Sequence, residues 1–225
     1  VAPMDAEFSE LIVLWGTNTL SSNLHFWPVV LRAKKRGARV IVIDPVETKT
    51  AKAADQWIRI RPGTDAALAL AMMHVLITES LVDDDFIREG TVGFEELSAE
   101  AKSWTPGRAA EVTGIPSAEI VALARSFAAA NPALVRINYG MQRHRGGGMA
   151  VRTIACLPAL TGHWRRRGGG VLLSTSAAFE LESHSLRRPD LMPTPQPRTV
   201  NMIRLGDALA GDETSLRRAL YRPQI

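Results

Sequence analysis

The apolar pattern is densest between Leu11 and Asp65. Two runs there, LIVLW (11–15) and ARVIVI (38–43), are short, rich in β-branched residues and almost uninterrupted in apolar character. Such runs predict parallel strands buried on both faces, since a strand with one wet face alternates. Between them, about Leu24 to Arg36 follows helical spacing. Pro28 is tolerable only in the first turn of that helix, where its missing N–H is not needed. Lys34, Lys35 and Arg36 suit the negative end of the helix dipole, and Gly37 can take the left-handed position that closes a helix. The unit reads β-α-β with parallel strands. In such sheets ligands sit beyond the carboxyl ends of the strands. Those ends read WGTNT, IDPVET and RPGTD, so three loops are expected to line one crevice.

The later pattern adds mostly helices. TKTAKAAD (48–55) predicts a short helix or turn on the crevice side, and Trp57 to Ile60 a third strand. Thr64 or Asp65 caps a long helix to about Glu79. Further helical turns are expected from Asp83 to Arg88, Gly93 to Trp104, Pro106 to Val112 and Ser117 to Ala130. ALVRIN (133–138) predicts a fourth strand. A helix follows from about Met149 to Leu160, kinked or ended near Pro158. Gly168 to Gly170 come after it and can simply terminate it. The apolar rhythm weakens from Ser174, and no convincing closing strand is visible. Pro189, Pro193, Pro195 and Pro197 mark 187–198 as an extended connector, and Val200 to Ala210 as one more helix. The expected division is an α/β domain over 1–186 and a connector with a terminal helical segment over 187–225.

Composition narrows the function little. The 225 residues are 46% hydrophobic and 22% charged, as in ordinary globular proteins. The net charge of +4 is compatible with nucleic acid, but the basic residues are scattered. The tightest cluster, Arg165 to Arg167, is equally suited to a polyanionic cofactor, and no nucleic-acid partner is expected. The single cysteine, Cys156, excludes an internal disulfide and cannot alone hold zinc or an iron–sulfur cluster. The start is acidic and shows no signal peptide. The most apolar stretch, Ala66 to Ile77, falls short of the ~20 residues that span a bilayer.

Several residues suggest chemistry. Gly16 and Asn18 follow the first strand directly, and fit either a phosphate loop or a plain tight turn. The loop is neither a G-x-G-x-x-G nor a P-loop, which argues against a nicotinamide dehydrogenase. Asp44 ends the second strand, where a ribose or base donor is often held; it can also cap the next helix. Asp65 lies on the adjacent loop and is placed to accept a guanine's N–H donors, or to cap its helix. Gly146 to Gly148 precede a helix, so their N–H groups can face an anion, with Arg143 and Arg145 beside them. None of the five histidines is spaced as a metal ligand, and His144, in the glycine-rich loop, is the one to watch. No Ser/His/Asp set or nucleophile elbow is present, and Cys156 reads as a small buried hydrophobe.

Three stretches together carry a resemblance: WGTNTLSSN, VIVIDPVETKTAKAADQWIRIRPGTDAALALAMMHVLI and NYGMQRHRGGGMAVRTIACLPALTGHWRRRGGG. In this order they resemble the molybdopterin oxidoreductases, the family of dimethyl sulfoxide reductases, formate dehydrogenases and dissimilatory nitrate reductases. The likeness runs from about Leu11 to Leu209. It implies a three-layer α/β/α fold with a mostly parallel, Rossmann-like sheet, holding one guanine dinucleotide arm of the bis-molybdopterin cofactor (bis-MGD), with molybdenum or tungsten. By the same likeness, Gly16, Thr17 and Asn18 contact the phosphates or the adjoining arm, and Asp44, Pro45 and Thr48 line the guanosine side. Gly63, Thr64 and Asp65 complete that pocket, and Tyr139, Gly140, Met141 and Arg143 approach the pterin or phosphates.

The departures from the family shape the expected function. The family's metal ligand lies upstream of the WGTN loop, where only ten residues precede Leu11 and none is a credible ligand. The cysteine motif for a four-iron cluster and the second cofactor-holding domain are also not seen. The chain is therefore read as the central cofactor-binding domain of a longer oxidoreductase, inactive alone. Its expected partners are the remaining domains and an electron-transfer protein. An iron–sulfur cluster is expected upstream, and the expected location is the cytoplasm. The alternative is a non-catalytic module that binds a nucleotide or a partner.

Overall fold

The computed structural model describes residues 2–174, 182–191, 200–211 and 213–214. Five strands form one sheet: β1 (Leu11–Trp15), β2 (Arg39–Ile43), β3 (Gln56–Ile58), β4 (Ala133–Ile137) and β5 (Gly170–Leu172). Their order is β3-β2-β1-β4-β5 and every pairing is parallel. Trp15 stands level with Ile43 on one side and Ile137 on the other, so the carboxyl ends of the three central strands reach one edge together.

The strands bury both faces, and the period of two sorts their side chains cleanly. Leu11, Val13, Trp15, Ile41, Ile43, Val135 and Ile137 enter the larger core. Ile12, Leu14, Val40, Val42 and Leu134 enter the smaller one on the other face. Burying each such side chain contributes about 1.5–3 kcal/mol, which explains why the runs are apolar throughout.

Helices cover both faces. α1 (Thr19–Ser22), α2 (Trp27–Lys35) and α3 (Lys49–Ala53) follow β1 and β2. Phe26, Val29, Val30 and Ala33 seal the smaller core. The other layer contains α4 (Asp65–Thr78), α5 (Asp84–Gly90), α6 (Phe94–Lys102), α7 (Pro106–Thr113), α8 (Ser117–Ala129) and α9 (Gly147–Leu160). α4 is its axis, apolar nearly all round, with Leu68, Met72, Met73 and Leu76 buried. The architecture is the expected three-layer α/β/α. The compact unit runs from Val1 to Ser174. Residues 175–225 form a second unit, which contains α10 (Ser183–Arg187) and α11 (Leu205–Ala210). Residues 192–199 of the expected connector lie outside the described residues.

Local details differ from the sequence reading for identifiable reasons. The helix expected from Leu24 starts at Trp27, because Pro28 belongs in a first turn, and a separate turn at Thr19–Ser22 precedes it. β3 ends at Ile58; Ile60 is buried but unpaired. α9 begins at Gly147, two residues early, and continues through Pro158 to Leu160. Gly168 to Gly170 do not simply stop a helix. Gly170 opens β5, and a Cβ on Gly169 would lie 2.2 Å from the His163 carbonyl oxygen. In place of one helix from Val200, a 3-10 turn at Met202–Arg204 leads into α11.

Candidate functional site

In strand order 3-2-1-4-5 the connections leave β1 and β4 in opposite directions, and a crevice opens between their ends. The structure has a cavity of about 230 Å³ there. Its wall contains Gly16, Asp44, Pro45, Gly63, Asp65, Gly140 and Met141, all expected at the site, together with Ile60, Pro62 and His144. The loops after β1, β2, β3 and β4 thus converge, as parallel strands require.

Each loop is held by its own chemistry. Gly16 has φ +61 and donates its N–H to the Ile43 carbonyl at 2.8 Å, extending the ladder one residue past the strand. A Cβ on Gly16 would sit 2.8 Å from Met141 Cγ, so the β1 and β4 loops touch only because it is glycine. Asp44 Oδ1 accepts from Val46 N at 2.9 Å, and the Asp44 carbonyl accepts from the Trp57 indole at 2.9 Å. Pro45 follows and sets the turn.

Asp65 is only 8% exposed. Its Oδ1 accepts a 2.8 Å hydrogen bond from the Trp15 indole Nε1, which fixes the carboxylate in the crevice wall. Of the two residues expected to cap α4, Thr64 occupies the N-cap position and Asp65 begins the helix; the Thr64 side chain makes no cap bond, because its hydroxyl donates to the Arg61 carbonyl at 2.7 Å. Trp15 was missed as a site residue. The signal was parity: Trp15 shares its strand face with Leu11 and Val13, which is the face that α4 covers.

The other expected residues do not line the cavity. Thr17 is buried, 3.4 Å from the Thr19 hydroxyl. Asn18 Oδ1 accepts from the Thr50 hydroxyl at 2.8 Å and ties the β1 loop to α3. Thr48 caps α3 by accepting from Ala51 N. Tyr139 is 45% exposed at the start of the β4 loop, and Arg143 is exposed farther along it.

Two further features mark the crevice. Burial pushes the Asp44 carboxyl above the usual carboxylate range; the bond from Val46 N opposes this, and the Asp65 carboxylate adds to it. His144 Nδ1 lies 2.9 Å from the Arg145 carbonyl, while its buried Nε2 has no partner. An unpaired buried polar atom costs about 1–3 kcal/mol. Elsewhere, His163 is buried, its Nε2 donates to the Phe127 carbonyl at 2.9 Å, and burial lowers its pKa. Burial also pushes the Cys156 thiol up, away from the reactive thiolate. Among the described residues no cluster of three His, Cys, Asp or Glu side chains is placed to hold a metal. No described helix is long and apolar enough to cross a membrane.

Fold and crevice together define a doubly wound α/β domain with a crevice at its switch point. Residues 3–203 match the profile of the family described as Molybdopterin oxidoreductase, and the chain belongs to that family. It is similar to the probable oxidoreductase YoaE of Bacillus subtilis, with 41% identity over 217 residues, 96% of this chain and 32% of that protein. The F420-dependent formate dehydrogenase 1 subunit alpha of Methanococcus maripaludis is 36% identical over 74% of this chain and 25% of its own. The dimethyl sulfoxide reductase DmsA of Escherichia coli is 36% identical over 75% and 24%. Acetylene hydratase from Pelobacter acetylenicus superposes with a TM-score of 0.65 at 35% identity, over 68% of this chain and 21% of that one. The chain spans about a quarter to a third of the length of these curated relatives. Family membership implies a pterin cofactor carrying molybdenum or tungsten.

Proposed function

We propose that the crevice holds the guanosine end of a molybdopterin guanine dinucleotide, one arm of a bis-MGD cofactor. The observation that carries this reading is the pair of carboxylates, Asp44 and Asp65, on adjacent loops in one cavity wall. A guanine edge offers a ring N–H and an amino group, and a ribose offers hydroxyls; both match acceptors. The residues fit such a group. Asp65 is already oriented by Trp15, and Gly16, Gly63 and Gly140 add no side chains of their own and let the loops of the wall pack closely.

In this reading Asp65 reads the base, with Gly63 and Thr64 shaping its loop. Asp44, Pro45 and Thr48 form the guanosine side. Gly16, Thr17 and Asn18 contact the phosphates or the adjoining cofactor arm, and Tyr139, Gly140, Met141 and Arg143 face the pterin or phosphates. When bound, the cofactor supplies the redox chemistry through the oxidation states of its metal. This chain's residues bind and orient it. The metal ligand, an iron–sulfur cluster and the contact to an electron-transfer partner belong to other parts of the full-length oxidoreductase, so residues 1–225 alone have no turnover.

Asp65→Asn tests the base contact. The Asn side chain can keep its oxygen on the Trp15 indole, which turns its amide donor toward the guanine donors. GMP binding to the cofactor-free full-length protein is expected to weaken by about 2 kcal/mol, roughly 30-fold, with AMP changing far less. Calorimetric titration with both nucleotides measures this. Unchanged GMP affinity and an unchanged GMP-over-AMP preference would reduce Asp65 to a structural partner of Trp15, and would leave a general partner-binding module as the better reading.

A further inference from the structure

His144 belongs to the crevice wall but to none of the contacts assigned above. It comes from the β4 loop and closes on the β3–α4 loop: a Cβ on Gly63 would lie 3.7 Å from its Nδ1 and 3.8 Å from its Cε1. A carbonyl can only accept, so the 2.9 Å contact to Arg145 O places a hydrogen on Nδ1. In the neutral ring Nε2 is then a bare acceptor. That acceptor is shut off from water and bonded to nothing. Native structures rarely leave such an atom unpaired without a functional reason.

Geometry adds a second observation: Nε2 is shut off from solvent where the β4 loop packs on Gly63, so a ligand reaches it only if that contact opens. Opening there frees Nε2 within the same wall as Asp65. The wall's two carboxylates, Asp44 and Asp65, are also acceptors. A ligand that satisfies all three presents several N–H and O–H donors.

We propose that His144 is a ligand-contacting residue of the crevice, whose Nε2 accepts a hydrogen bond from an N–H or O–H of the bound nucleoside once its loop parts from Gly63. This rests on the nucleotide reading of the crevice and adds to it a residue and a movement. The free state stores an unpaired nitrogen, and the ligand relieves it. Binding and loop opening are thereby coupled.

The test uses the cofactor-free full-length protein and GMP. His144→Phe keeps a planar ring of similar size and removes the acceptor. Its affinity for GMP is expected to fall about tenfold. In the wild type, ring-¹⁵N-labelled histidine gives a second readout, independent of whether the variant folds. Addition of GMP is expected to move the His144 Nε2 resonance from the position of a bare lone pair toward that of a hydrogen-bonded nitrogen. A wild type that binds GMP with no change in this resonance overturns the inference. Equal GMP affinity in His144→Phe overturns it as well and leaves the nucleotide reading standing. A wild type that binds no GMP overturns the nucleotide reading first.

Discussion

Alanine at Trp15 is expected to lower stability by about 4 kcal/mol, the largest loss of any single change near the crevice. Trp15 is fully buried at the end of β1, flanked by Ile43 and Ile137 in the sheet. Truncation removes its ring from the larger core and leaves a cavity that rigid strands cannot fill. It also strips Asp65 Oδ1 of its indole donor, so a carboxylate that is 8% exposed loses its orientation. The melting temperature should fall by roughly 10 °C. Trp15→Phe separates the two contributions. It keeps most of the apolar burial and removes only the N–H, so a smaller loss of about 1–3 kcal/mol is expected. GMP affinity should fall in both variants. A Trp15→Phe protein with wild-type stability and GMP affinity would mean that the indole bond does not hold Asp65 in place.

Gly147→Ala is expected to cost about 3 kcal/mol and to disable the crevice at the same time. A Cβ there would lie 2.4 Å from the Met141 carbonyl oxygen and 2.7 Å from Gln142 Cα. Both are backbone atoms, so no side chain can swing away. The loop carrying Gly140, Met141 and His144 must lift off the first turn of α9, and those residues form one wall of the cavity. Gly148→Ala is the control, because a Cβ there meets nothing within 4 Å. Alanine is the better helix former, so Gly148→Ala should be neutral or slightly stabilising. Thermal melts and GMP titrations of the two variants check the contrast. Equal stabilities would show that the loop's seat on α9 is not set by Gly147.

Much of this architecture was legible in the sequence because one physical rule governs both strands and site. Parallel strands bury both faces, so LIVLW and ARVIVI had to be nearly continuous in apolar residues. Their carboxyl ends then had to share an edge. WGTNT, IDPVET and RPGTD meet there for that reason. β5 was not legible. It is three residues long, begins with glycine, and is defined by pairing to β4 rather than by its own pattern. Depth within a loop was equally hidden. Thr17 and Arg143 each follow a central strand closely in sequence, yet one is buried and the other is exposed. Chain position places a loop, but the local dihedrals decide which side chains face inward. The Trp15–Asp65 bond shows the same limit, since it joins residues 50 positions apart.

The most direct measurement is the identity of the small molecule released when the purified full-length protein is denatured. The account predicts a pterin that yields GMP on hydrolysis, accompanied by molybdenum or tungsten in elemental analysis. A folded protein that releases no guanine nucleotide, or a pterin linked to a different base, would contradict it.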